Sequence, residues 1–163
     1  MSGTGDLALA KHLERAARHR VIGHLLSDAG DEWATVPLFY SAYHLTRHAL
    51  RSDPIFHEPT KLSRVNASLT MAERDVTRHK GRKNIPGSSA REWGINELVT
   101  MLYRPLTASY DKLHQASIEV RYGAGLKTAP LADLVAALDA IQEAHDGATM
   151  VASQLCPSVA ASA

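Results

Sequence analysis

Cysteine is almost absent from this sequence, since Cys156 is the only one among 163 residues. A single thiol excludes an internal disulfide framework and any cysteine-rich zinc module. Long hydrophobic runs are absent too, because no stretch approaches the roughly 20 apolar residues of a membrane span. The amino terminus has no basic region ahead of an apolar one. We therefore expect no signal peptide, no membrane association and a cytoplasmic protein.

The sequence also lacks an excess of either charge, because its formal net charge is +1 at neutral pH. A basic surface for nucleic acid must then come from local clustering of Lys and Arg. The hydrophobic fraction of 45% is typical of a globular chain, and the length corresponds to about one domain. We expect a disordered amino terminus over residues 1–6, a helical-bundle domain over 7–156, and a disordered tail over 157–163.

The apolar residues recur at helical spacing, and no segment alternates as a strand does. This periodicity predicts helices over residues 7–26, 35–51, 60–79, 89–122 and 130–155. Thr70 and Glu73 form a capping-box pattern that breaks the third helix, and Pro105 kinks the fourth. The fold class is therefore all-α, an antiparallel bundle of four to five helices. In the first helix we expect an inward stripe of Leu9, Leu13, Ala16, Ala17, Arg20, Val21, His24 and Leu25.

The strongest helical signal lies between residues 31 and 51. Pro37 fits the first turn, where its missing N–H is tolerated, so the regular helix is expected to begin near Thr35. The helix is expected to end at Ser52, because Asp53 precedes Pro54 and is pushed out of the α region.

Short motifs in this helix and downstream carry a family resemblance. The run Trp33-Ala34, residues 38–42 and His44-Leu45 resembles the second helix of the HEPN superfamily. Residues 117–122, SIEVRY, resemble the end of a later HEPN helix. Residues 57–64 resemble the histidine-then-arginine segment that follows the second helix in that family. The resemblance covers about residues 33–122. It implies a small helical bundle that binds RNA or nucleotide, commonly as a homodimer, in a toxin–antitoxin or phage-defence system. A nucleotidyltransferase-type or antitoxin protein would be its partner.

The segment from Arg74 to His79 fits the R-x(4–6)-H motif of active HEPN ribonucleases. The resemblance implies metal-independent RNA cleavage, in which His79 moves a proton and Arg74 stabilises charge on the phosphate. The alternative interpretation is a basic helix end that is favourably placed against the helix dipole.

A basic segment surrounds this motif, with five Lys or Arg residues between positions 74 and 83. Such clustering favours binding to a phosphate backbone. The candidate nucleic-acid-binding residues are Arg78, Lys80, Arg82 and Lys83.

A second set of candidates lies on the inner faces of the helices: Tyr40, His44, Tyr110, Arg121 and Tyr122. These side chains are predicted to line an inner seam, mainly as core residues. For Arg121, pairing with Asp31 or Glu32 is favoured over contact with a substrate.

The sequence contains no pattern typical of a metal or cofactor site. No helix carries His-Glu-x-x-His, no Glu-x-x-His pair is repeated, and no glycine-rich phosphate loop follows a strand. We therefore expect neither a metal nor a cofactor. The favoured function is an HEPN-like domain that binds RNA or nucleotide. The alternatives are a metal-independent endoribonuclease that uses Arg74 and His79, and a non-catalytic helical assembly protein.

Overall fold

The computed structural model describes residues 3–82 and 91–160. Over these ranges the protein is all-α, and its β structure is limited to an isolated bridge between Arg82 and Glu92. None of the described helices is long and apolar enough to cross a membrane. The α-helices of these ranges are α1 (Gly3–Asp28), α2 (Thr35–Ser52), α3 (Pro59–Val65), α4 (Ile95–Leu102), α5 (Thr107–Tyr122), α6 (Leu131–Asp146), α7 (Ala152–Leu155) and α8 (Pro157–Ala160).

Helix α2 is the centre of the fold, because it packs against α1, α5 and α6. Its bounds agree with the prediction: it begins at Thr35, has Pro37 in its first turn and ends at Ser52. A 3-10 helix, Glu32–Ala34, precedes it, and the Asp31 carboxylate accepts a hydrogen bond from the Trp33 N–H at 3.0 Å. Pro37 and the Asp53-Pro54 pair therefore mark the two ends of α2, and Asp31 caps the 3-10 helix before it.

The buried carboxylate of Asp53 joins three segments just after α2. It accepts hydrogen bonds from the backbone N–H of Ile55 at 3.0 Å, the hydroxyl of Tyr103 at 3.1 Å and the backbone N–H of Ala152 at 2.8 Å. Burial raises the pKa of Asp53, and the three hydrogen bonds oppose that shift. The carboxylate thus fixes the positions of α7 and the end of α4 relative to α2.

Three predicted helices are interrupted. The helix expected over 60–79 is present only as α3 and the 3-10 helix Met71–Asp75, and residues 76–79 are not helical. The helix expected over 89–122 consists of α4, the 3-10 helix Arg104–Leu106 and α5, with Pro105 in the break as predicted. Its expected caps, Ser88 and Ser89, lie outside the described residues. The helix expected over 130–155 ends at Asp146, because Gly147 follows and Ala148 adopts a positive φ of 53°. The capping box of Thr70 and Glu73 is confirmed, and it opens the 3-10 helix Met71–Asp75.

The predicted inward stripe of α1 is wrong for most of its large side chains. Val21 and Leu25 are 60% and 66% exposed, whereas Ala16 is buried against α2. The backbone oxygen of Ala16 accepts a hydrogen bond from the Ser41 hydroxyl at 2.9 Å. A Cβ added to Gly23 would lie 2.7 Å from Leu38, so α1 and α2 approach closely through small residues. This close packing turns the larger apolar side chains of α1 outward.

Candidate functional site

His79 lies in a cluster of aromatic rings between α2 and α5. Its ring centroid is 5.1 Å from those of Tyr43 and His114, and 5.2 Å from that of Phe39. The imidazole is half-buried, and its Nδ1 atom has no hydrogen-bond partner among the described residues. We call His79, His114, Phe39, Tyr40 and Tyr43 the ring cluster.

Backbone contacts on two sides hold His79 in place. On the α2 side, the Tyr43 hydroxyl donates to the Thr77 carbonyl at 3.1 Å, and the buried Arg47 guanidinium donates to the Val76 carbonyl. On the α4 side, the backbone N–H of Asn96 donates to the His79 carbonyl at 3.0 Å. The first N–H groups of a helix have no partner within it, so α4 uses the segment before it as its cap.

His114 is 5% exposed and stacks on Phe39 with centroids 4.8 Å apart. The amide nitrogen of Asn96 donates to the Asp111 carboxylate at 3.0 Å and lies 3.0 Å from Nδ1 of His114. A carboxylate only accepts, so the nitrogen of this amide must face Asp111, and its second hydrogen points at the imidazole. His114 therefore accepts at Nδ1 and carries its proton on Nε2.

Both histidines of the ring cluster are neutral near pH 7. The pKa of His114 is lowered to about 4, mainly by burial and further by its interactions with His79, Lys80 and Arg121. Burial also lowers the pKa of His79, to which Arg121 again contributes. The neutral imidazole of His79 is therefore able to accept a proton, and the fixed positive charge of Arg121 is able to stabilise an anion.

Arg121 is half-buried and forms no ion pair with a described carboxylate. Its guanidinium donates to the backbone oxygen of Ser117 at 2.9 Å and to its hydroxyl at 3.2 Å, and lies 5.9 Å from the ring of Tyr40. The expected partner Glu32 instead accepts from the backbone N–H of Leu126. The positive charge of Arg121 is therefore not neutralised by a neighbouring acid in the part of the chain that the structure describes.

Arg74 lies apart from this arrangement. Its Nε atom is 3.2 Å from the carboxylate of Asp75, and the other oxygen of Asp75 is 3.1 Å from Nε of Arg51. Within residues 3–82 and 91–160 no contact joins Arg74 to His79. The paired roles given to these two residues by the sequence motif remain a prediction.

The basic segment is divided among different environments. Arg78 forms an ion pair with Glu92, whereas Lys80 and Arg82 are exposed and have no ion pair to a described residue. Lys83 lies outside the described residues. The segment lies close to the backbone of residues 92–94, since a Cβ on Gly81 would overlap the Glu92 carbonyl oxygen.

A cleft of about 650 Å³ opens beside the ring cluster, with His114 shared between the two. Trp93 lines the cleft and is 5% exposed, and its ring is covered by the Arg91 guanidinium at 4.0 Å. The indole nitrogen of Trp93 and the amide oxygen of Asn96 have no described partner. The residues that line the cleft are Asn66, Lys80, Trp93, Asn96, Glu97, Thr100, Met101, Asp111, His114 and Gln115.

The predicted inner seam is present in part. Tyr110 is buried, His44 is 7% exposed, and Tyr40 and Arg121 are half-buried, so these side chains lie at or near the core. Tyr122 does not belong with them, because it is 78% exposed at the end of α5. The last residue of the helix extends beyond the surface that α2 covers.

His44 belongs to a second group of histidines, between α1 and α2. Its Nδ1 atom is 3.0 Å from Nδ1 of His12, and its ring stacks with that of His19 at 5.7 Å. Burial lowers the pKa of both His12 and His44 to about 4. The next largest contribution comes from Arg47 at His12 and from the His12 imidazole at His44. These rings are therefore packed in their neutral form.

Sequence reasoning missed His114, Asn96 and Trp93. A signal for His114 was present, because Tyr110, His114, Ser117 and Arg121 recur at steps of four and three and share one face of α5. No such pattern predicts the cleft, since its walls come from residues far apart in the sequence.

No group of three His, Cys, Asp or Glu side chains that could hold a metal ion occurs in the described ranges. Comparison of the chain with protein-family models, curated proteins and solved structures finds no match.

Proposed function

We propose that this protein binds RNA or a nucleotide in the cleft beside the ring cluster. The observation that carries the proposal is the cleft itself, whose volume of about 650 Å³ suits a small ligand. Its wall combines an aromatic ring, Trp93, with the amide of Asn96, whose oxygen is unpaired among the described residues. A nucleobase has a π-face for stacking and an edge of donors and acceptors that matches such groups.

Positive charge is available where a phosphate would lie. Lys80 lines the cleft, and Arg82 is exposed two residues further along the chain. The acids of the cleft are already engaged: Glu97 accepts from the backbone N–H groups of Gly81 and Gly94, and Asp111 accepts from Asn96. The cleft therefore suits a ligand that is bound mainly through its base, with a modest phosphate contact, better than a ligand that is bound by charge alone.

Binding is tested with a fluorescent single-stranded RNA and with unlabelled nucleoside monophosphates as competitors, followed by anisotropy. We expect the variant Lys80→Glu/Arg82→Glu to lose affinity by about tenfold and to show a shallower salt dependence. Lys127→Glu changes an exposed lysine that does not line the cleft, so it should bind like the wild type. Absence of binding by the wild type, or equal losses in both variants, contradicts the proposal.

A second candidate function, metal-independent RNA cleavage, is favoured by the ring cluster. The neutral imidazole of His79 can take the proton of a 2′-hydroxyl, because its Nδ1 atom has no described partner, and Arg121 can stabilise the charge that gathers on the phosphate. In this version of the hypothesis Arg121 takes the role that the sequence motif gives to Arg74. It is supported by the contribution of Arg121 to the lowered pKa of both histidines.

Cleavage is measured on the same RNA in the presence of a chelator. His79→Ala should abolish cleavage and leave binding nearly unchanged, because a neutral histidine adds little to affinity. Arg121→Ala should lower the rate more than Arg74→Ala does. If Arg74→Ala lowers the rate more than Arg121→Ala does, the motif pair of Arg74 and His79 is favoured instead. If His79→Ala cleaves RNA at the wild-type rate, catalysis by this cluster is rejected.

The biological setting belongs to the same proposal, and the HEPN resemblance supports it. It comprises an antiparallel HEPN-like bundle, a homodimer, a cytoplasmic location, and a toxin–antitoxin or phage-defence system with a nucleotidyltransferase-type or antitoxin partner. The remaining alternative, a non-catalytic helical assembly protein, predicts neither RNA binding nor cleavage. The anisotropy experiment therefore separates it from the other two.

A further inference from the structure

Helix α1 exposes a regular stripe of side chains on the side that faces away from α2. The stripe recurs at alternating steps of four and three and consists of Leu7, Lys11, Glu14, Arg18, Val21 and Leu25, all of them exposed. Leu7, Val21 and Leu25 are 64%, 60% and 66% exposed, which is unusual for large apolar side chains that recur on one face. This spacing is that of the a and d positions of a heptad, the pattern that pairs helices.

The order of residues along the stripe is self-complementary in the antiparallel direction. A second α1 that crosses at residue 16 places Leu7 of one chain against Leu25 of the other, and the same contact forms again at the far end. In the middle, Glu14 of each chain lies against Arg18 of the other. Lys11 lies against Val21, where its aliphatic stem covers the apolar side chain.

Two further observations support this arrangement. Neither Glu14 nor Arg18 takes part in an ion pair within the described residues, so both charges are available to a partner. A shallow groove of about 400 Å³ also runs along the carboxyl-terminal half of α1, and Val21 and Leu25 form its apolar lining. An incoming Leu7 side chain is the apolar group that the antiparallel register places there.

From this pattern we infer that α1 is the interface of an antiparallel homodimer, in which the outer stripe of one chain packs on that of a second copy. A two-fold interface uses the same patch on both chains, and a patch whose two halves complement each other satisfies that condition. The inference gives an interface to the homodimer included in the proposed function. It does not depend on the RNA cleft, because no residue of the stripe lines the cleft. One helix pair is a small interface, so we expect dimerisation at micromolar concentrations.

The test is light scattering after size exclusion, with the full chain over a micromolar concentration series. The wild type should give twice the mass of one 17.7 kDa chain. Leu25→Glu buries a charge in each of the two apolar contacts and should reduce the mass to that of one chain. Glu143→Arg, an exposed change on α6, should leave the dimer intact.

Charge exchange makes the test specific for the antiparallel register. Glu14→Arg alone and Arg18→Glu alone each place like charges opposite each other, so each should be a single chain. An equimolar mixture should recover the two-chain mass, because the paired arginines of the first variant then face the paired glutamates of the second. Circular dichroism verifies that each variant stays helical. The inference is overturned by a single-chain wild type, by a Leu25→Glu variant of unchanged mass, or by helical charge variants that fail to associate on mixing.

Discussion

Single buried polar side chains connect parts of this protein that the helix pattern leaves unrelated. Asp53 receives three hydrogen bonds from a 3-10 helix, from the end of α4 and from the start of α7. Asn96 similarly links α4 to Asp111 and His114 of α5. A buried polar atom without a partner is costly, so such residues tolerate substitution poorly even where the new side chain has the same size.

Asp53→Asn is expected to lower the free energy of unfolding by about 2 to 4 kcal/mol. The amide keeps one acceptor oxygen for Ile55, but its NH₂ group then faces the Ala152 N–H and the Tyr103 hydroxyl. Urea denaturation followed by circular dichroism measures the loss. Asp133→Asn is the control, since Asp133 is exposed on α6 and its replacement should cost no more than about 0.5 kcal/mol. Equal stability of Asp53→Asn and the wild type would show that the carboxylate is not needed.

At the scale of elements, local signals predicted α2 well and α1 poorly. The ends of α2 follow from Pro37 and from Asp53-Pro54, which act through their own backbone geometry. The inner face of α1 depends instead on how near α2 can come. Large and small apolar residues form two overlapping stripes in α1, and the close approach at Gly23 selects the small one. The distance between α1 and α2 cannot be predicted from a single sequence.

Local sequence signals likewise identified only part of the candidate site. His79 and Arg121 were identified because each lies in a short motif, whereas Trp93 and Asn96 enter the cleft through the fold. The connection between Arg121 and the histidines required two helix faces to be placed together. The motif pair of Arg74 and His79 rests on nearness in the sequence alone, and the 3-10 helix that carries Arg74 ends before His79.

Gly23→Ala is expected to destabilise the protein by about 1 kcal/mol, although alanine favours a helix over glycine by a similar amount. The new methyl group would lie 2.7 Å from Leu38, which is fully buried, so the two helices must separate or the leucine must leave its rotamer. In a Leu38→Ala background the overlap with side-chain atoms disappears and only the Leu38 backbone nitrogen stays close, at 3.2 Å, so the same substitution should stabilise the protein by up to about 1 kcal/mol. A double-mutant cycle in urea measures both effects. If Gly23→Ala changes the free energy of unfolding in the same direction in both backgrounds, the packing argument is wrong.

At the scale of the whole molecule, histidines connect the helices on both sides of α2. His12, His19 and His44 lie between α1 and α2, His79 and His114 lie between α2 and α5, and His48 is 3.0 Å from His145 of α6. Burial is the largest cause of the lowered pKa in each of His12, His19, His44, His48, His79 and His114. Several arginines also face them, among them Arg15 and Arg47. Protonation of these rings therefore opposes folding.

We expect the protein to lose stability as the pH falls from about 6.5 toward 4. In the folded state the pKa of His12 and His44 is about 4, against an ordinary value of 6.5, so in this window the unfolded chain binds more protons. Stability then falls by about 1.4 kcal/mol per pH unit for each proton of difference, and the histidine effect levels off below pH 4. Urea denaturation at fixed protein concentration, at steps from pH 7.5 to 5, measures the slope. The double variant His12→Gln/His44→Gln should show a shallower slope, whereas His57→Gln, at an exposed position outside both groups, should keep the slope of the wild type. A double variant whose slope equals that of the wild type would show that these two rings do not couple folding to pH.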